Sequence, residues 1–160
     1  MGLDMYLSAR KYVSAYNFRP INEQNEYEEV LTAVGLERKE VSGLSDTPSG
    51  YVVLTVAYWR KDNQIHEWFV KNCQDGVDEC QKAMVSREQL VELVDLCQQV
   101  SDDHDKAKEL LPVSEGGFFF GSYEYDEWYY EGVNHTIKML KAILDNPKFA
   151  DWEFEYQSSW

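Results

Sequence analysis

Apolar and polar positions alternate from the first residues of the chain. In Leu3-Asp4-Met5-Tyr6-Leu7 the period is that of a strand, with Leu3, Met5 and Leu7 on one face and Asp4 and Tyr6 on the other. Residues 10–20 read as a connection. The period then becomes helical over 22–36, where Tyr27, Val30, Leu31 and Val34 share a face and Gly35 lies near the end. Glu23, Glu26, Glu28 and Glu29 suit the positive end of that helix. Residues 37–50, rich in Gly, Ser, Asp and Pro, read as a flexible loop. Residues 51–59 carry the β-branched and aromatic density of a central strand, apolar on both faces.

A helix is expected over about 62–72, with Ile65, Trp68, Phe69 and Asn72 at helical spacing, Asp62 or Asn63 as its cap, and His66 one position off the apolar stripe. Asp75-Gly76 marks a tight turn before a short strand within 80–85. Ser86 and Gln89 form a capping box ahead of Leu90, Leu93, Val94, Cys97 and Val100. An acidic break at 102–105 precedes a helical turn that stops at Pro112. Eight aromatic residues crowd the stretch from Phe118 to Tyr130. This stretch predicts a buried strand over 117–120, a turn at Gly121-Ser122, and a helix from about 125 to 144 with Tyr125, Tyr129, Val133, Ile137, Leu140 and Leu144 inward. Strict alternation over 152–156 closes the chain as a strand.

Together these elements predict an α+β protein. The expected architecture is a single compact domain over 1–160, with three to four helices packed on a mixed or antiparallel sheet of about four to five strands. Those strands are centred near Leu3, Tyr51, Gln81, Phe118 and Trp152. Charge narrows the partners. Twenty-nine acidic against 15 basic residues give a formal charge of −14, which repels nucleic-acid backbone and anionic membrane surfaces and favours cationic protein partners. Cys73, Cys80 and Cys97 are odd in number and lack paired zinc spacing, so a reducing cytoplasm is expected, as is the lack of a leader-like apolar run.

No Gly-x-Ser-x-Gly elbow, phosphate loop or dinucleotide fingerprint occurs, and no catalytic residue or cofactor is assigned. Glu127, Glu131 and His135 share a helix face. A single line of side chains cannot surround an ion, so no metal site is assigned either. The ligand- or partner-binding candidates are His66, Trp68, Tyr123, Tyr125, Asp126, Trp128 and Tyr129. Aromatic rings suit stacking, and Arg60, Lys61 and Arg87 are the cations placed to hold an anionic ligand. A ligand protein predicts a pocket in which His66, Trp68 and Tyr125 or Trp128 converge with a basic residue.

The opening MGLDMYL, the central YWRKDNQIHEWFV, the QDG turn, the VSREQLVEL helix start and the block ELLPVSEGGFFFGSYEYDEWYYEGV resemble a set of small uncharacterised bacteriophage and prophage proteins. The resemblance covers most of the chain, least at 37–50, and brings no catalytic roles. It implies a cytoplasmic accessory protein made inside an infected bacterium and aimed at host machinery or host defence. The leading expectation is therefore a non-enzymatic protein whose acidic and aromatic surface binds and modulates a host protein, with basic nucleic-acid-binding proteins as candidate partners. The alternative is a protein for a nucleotide-like small ligand, either a sponge or a small enzyme.

Overall fold

The computed structural model describes residues 2–42, 48–114 and 120–160. Four strands, β1 (Asp4–Ser14), β2 (Ser49–Arg60), β3 (Ala83–Val85) and β4 (Glu153–Ser159), form an antiparallel sheet in the order β2-β1-β4-β3. The helices are α1 (Ile21–Ala33), α2 (Arg38–Ser42), α3 (Asn63–Cys73), α4 (Arg87–Asp102), α5 (Ala107–Leu110) and α6 (Glu127–Leu144). The α+β class expected from the period changes is the observed one.

The chain forms two compact units, residues 1–9 with 55–160, and residues 10–54. In the larger unit, Leu3, Met5, Leu7 and Ala9 are all fully buried, as the opening alternation requires. They share a core with Trp59, Phe69, Phe154 and Tyr156, and with Leu90, Leu93 and Cys97 of α4 and Val133 and Leu140 of α6. Tyr156 stacks on Phe69 at 4.0 Å. The capping box is present, with Ser86 Oγ accepting from Gln89 N and Gln89 Oε1 from Ser86 N. In β4, Phe154 and Tyr156 point inward, and Met84 pairs with Glu155 in register.

The smaller unit is built on Val13, Ala15, Tyr27 and Leu31, with Val41 and Val52 packed against them. Lys11 pairs with Glu26 at 2.6 Å, and Arg38 reaches Glu28 and the Ala15 carbonyl. Here the structure corrects the reading of residues 10–20 as a connection, because β1 continues to Ser14. The small and charged residues Ser8, Arg10 and Lys11 mask the alternation, but pairing with β2 restores it: Tyr12 meets Tyr51 edge-on at 5.4 Å and Arg10 lies over the Tyr51 ring. Within 37–50, α2 occupies Arg38–Ser42 and β2 begins at Ser49, while 43–47 lie outside the described residues. The strand expected over 117–120 falls mostly outside them too; Phe120 itself is buried.

Candidate functional site

A cleft of about 680 Å³ opens in the larger unit between the end of β2, the start of α3, the segment 121–126 and the first half of α6. Its size is that of a small-molecule site. Arg60 and Lys61 supply cations, Asp62, Glu124, Asp126 and Glu131 carboxyls, Trp128 an aromatic face and His135 an imidazole. Neither Arg60 nor Lys61 has an ion-pair partner among the described residues, and neither do Asp62 and Glu131.

Backbone constraint builds this place. After the last β2 residue, Lys61 adopts φ 63°, a left-handed conformation that costs a side-chain-bearing residue about 1 kcal/mol. Its N–H donates to the Leu3 carbonyl at 2.9 Å, which pins the turn to β1. Gly121, at φ 104°, lies so close that a Cβ there would sit 2.6 Å from the Lys61 carbonyl oxygen. Asn63, only 1% exposed, ties the far wall down: its Nδ2 donates to the Phe120 and Ser122 carbonyls at 3.2 and 2.9 Å, and its Oδ1 accepts from Ser114 N at 3.0 Å.

Asp62 stands at the cap position of α3 but makes no side-chain cap bond, contrary to the capping role its sequence position suggests. Its carboxylate packs instead on α6, where Gly132 leaves the space; a Cβ at 132 would fall 1.7 Å from Asp62 Oδ1. Burial pushes the Asp62 carboxyl up to about 6, opposed by His135, by a hydrogen bond from the Arg60 backbone and by the Gln64 amide. Gln64 is 4% exposed, and among the described residues its Nε2 has no partner of good geometry. It turns toward Asp62 without completing a hydrogen bond. Trp59 Nε1 donates to Thr136 Oγ1 at 2.8 Å and the Thr136 hydroxyl donates to the Gly132 carbonyl at 2.8 Å, so β2 and α6 are tied directly beneath the cleft.

The raised Asp62 sets a pH dependence with a definite sign. Because the folded state holds this proton more tightly than the unfolded chain does, Asp62 costs nothing below about pH 4. Its cost grows as pH rises from there to about 6 and is full above that. Asp62→Asn is therefore expected to stabilise the protein by about 2 kcal/mol at pH 7 and by almost nothing at pH 4. Urea titrations at the two pH values check this; an equal gain at both would remove the buried-carboxylate explanation.

Asp126, Trp128 and Tyr129 from the sequence-derived candidates line the cleft, with Asp126 capping α6 through Tyr129 N at 3.1 Å. Tyr129 Oη donates to the Leu111 carbonyl at 2.7 Å, so only its flank is presented. Tyr125 accepts from Val113 N at 3.2 Å and packs on Tyr129, outside the lining, and Tyr123 is 43% exposed beside it. His66 and Trp68 do not converge with Trp128. His66 is 1% exposed and bonded on both nitrogens, to Tyr156 Oη at 2.8 Å and Asp78 Oδ2 at 3.0 Å, while Trp68 packs edge-on against Phe69. Only the first turn of α3 reaches the cleft; of its later residues Ile65, His66, Trp68, Phe69 and Val70 are buried and Lys71 and Asn72 face solvent.

No family model, curated protein or solved structure matches this chain. The cleft has to be read from its own residues. Among the described residues, no group of three or more His, Cys, Asp or Glu side chains is placed to hold a metal ion, and no helix is long and apolar enough to cross a membrane. Of the Glu127, Glu131 and His135 line, Glu131 and His135 face the cleft and Glu127 does not. Asp62, Gln64 and Gly132 were the residues missed by sequence reasoning. A glycine inside an otherwise well-formed amphipathic helix, at Gly132, was the signal available.

Proposed function

We propose that the protein binds a small, nucleotide-like ligand in this cleft. The observation that carries the reading is the convergence of Arg60, Lys61 and the exposed Trp128 indole on one recess that also holds a desolvated carboxyl. The two cations suit a phosphate, the indole suits stacking on a planar ring, and Asp62 supplies a hydrogen-bonding group whose charge changes near pH 6. Thermal-shift and calorimetric titration with adenosine, guanosine, cytidine and uridine 5′-monophosphates tests it. At 100 times its dissociation constant a bound nucleotide stabilises the fold by about 2.7 kcal/mol. Arg60→Ala and Trp128→Ala should each weaken that binding at least tenfold. No shift with any of the four at millimolar concentration would overturn the reading.

A second reading is favoured by one surface feature: Trp128 is 75% exposed and shares the cleft wall with Glu124, Asp126 and Glu131, while Tyr123, 43% exposed, precedes Glu124 in the chain. An exposed indole ringed by carboxylates suits the docking of a basic protein segment. The resemblance to phage-encoded proteins makes a host protein the natural partner and a bacterial cytoplasm the natural setting. Paired pull-downs with the wild type and Trp128→Ala separate the readings, since a partner retained equally by both baits does not dock at this patch.

A further inference from the structure

The polar cleft does not end at His135. On its other side the same histidine borders a recess of about 380 Å³ lined by Val56, Lys138, Met139, Ala142, Ile143 and Phe149. Val56, Met139 and Phe149 are half-buried apolar side chains packed on the core, and among the described residues only His135 and Lys138 bring polar side chains to the recess. The two recesses follow one flank of α6. Trp128 and Ala142 are separated by about 21 Å along the helix at 1.5 Å per residue. On β2, Arg60 and Val56 are about 13 Å apart at 3.3 Å per residue. Ring-stacking, anion-binding and apolar surfaces thus succeed one another along the groove.

Water in the apolar recess would have few polar partners, and a polar extension of a ligand would be desolvated there without compensation. Resting on the reading of the cleft as a nucleotide-like site, we infer that its ligand is amphiphilic. Its phosphate is esterified with a hydrocarbon arm that lies past His135 against Val56, Met139 and Phe149. Arg60 and Lys61 hold the phosphate in the polar cleft, His135 stands where the arm passes into the apolar recess, and Trp128 covers the ring.

Calorimetric titration of the full chain with adenosine 5′-monophosphate and with its octyl phosphodiester tests the arm. Each seated methylene contributes about fourfold in Kd, so the octyl ester is expected to bind at least 30-fold tighter than the parent nucleotide. Ala142 is exposed, and Ala142→Trp fills the recess without touching the core. This variant should abolish the advantage of the ester while leaving the parent nucleotide unchanged. Binding of the nucleotide with no gain for the ester overturns the arm alone. A gain that persists in Ala142→Trp overturns it as well, because the octyl chain then lies elsewhere. Failure of both probes to bind sinks the nucleotide-like cleft together with its extension.

Discussion

Gly132→Val is expected to lower the stability of the protein by about 1–3 kcal/mol, the range that overpacking costs. Helix propensity alone gives the opposite sign, since replacing a glycine inside α6 normally gains about 1 kcal/mol with alanine and a few tenths of that with valine. The reversal comes from Asp62. Its Oδ1 lies 1.7 Å from where the new Cβ would be, its Cγ at 3.0 Å and the Gln64 amide nitrogen at 3.2 Å. The turn that carries it is fixed by Lys61, Gly121 and Asn63, so relief must come from rotating the Asp62 side chain off α6 toward the cleft and giving up its packed position. A double-mutant cycle isolates the cause. With Asp62→Ala in place, Gly132→Ala should become neutral or stabilising by up to about 1 kcal/mol, as a solvent-facing helix position would be. Urea denaturation of the four proteins reads this directly. Additive effects, with Gly132→Ala equally harmful in both backgrounds, would mean that Asp62 does not occupy the space glycine leaves.

Trp59→Ala is expected to cost more, about 3–5 kcal/mol. Trp59 is 1% exposed, meets Phe69 edge-on at 5.7 Å and donates its indole proton to Thr136. Removing it opens the core beneath the cleft and cuts the link that runs through Thr136 to the Gly132 carbonyl. Trp59→Phe separates the parts: it keeps most of the ring and loses the hydrogen bond, so its cost should be about 1–2 kcal/mol, with Thr136 still bonded to Gly132. If the two substitutions prove equally costly, the hydrogen bond and not the packed volume dominates at this position.

The strands at Leu3 and Trp152 and helices α3, α4 and α6 were legible because each buries one face and alternates at its own period. The strand at Tyr51 was legible as a strand but not as the central one its apolar density suggested: β2 is an edge of the sheet, Tyr51, Val53, Leu54 and Tyr58 are exposed, and only Ala57 and Trp59 are buried. β1 beyond Leu7 was not, since Ser8, Arg10 and Lys11 are polar whether or not they pair, and only β2 alongside makes them strand residues. The cleft was half legible. Arg60, Lys61 and Trp128 declared themselves by type. Asp62 did not, because Asp at a helix start reads as a cap, and its displacement onto Gly132 depends on a contact seventy residues away in the chain. His66 misled for the converse reason: a histidine beside an apolar stripe looks available until Tyr156 and Asp78, far apart in sequence, are seen to take both its nitrogens.

The exposure of Trp128 also gives the protein a built-in optical gauge. Trp59 and Trp68 lie in the core at 1% and 6% exposure, whereas the Trp128 indole stands 75% in water at the mouth of the cleft. Trp160 is also 50% exposed, so the red-shifted part of the emission comes from both rings, and the share that responds to whatever covers Trp128 is the part that Trp128→Phe removes. Any change at the mouth of the cleft can then be followed by light, as the difference between the wild type and Trp128→Phe, with no label.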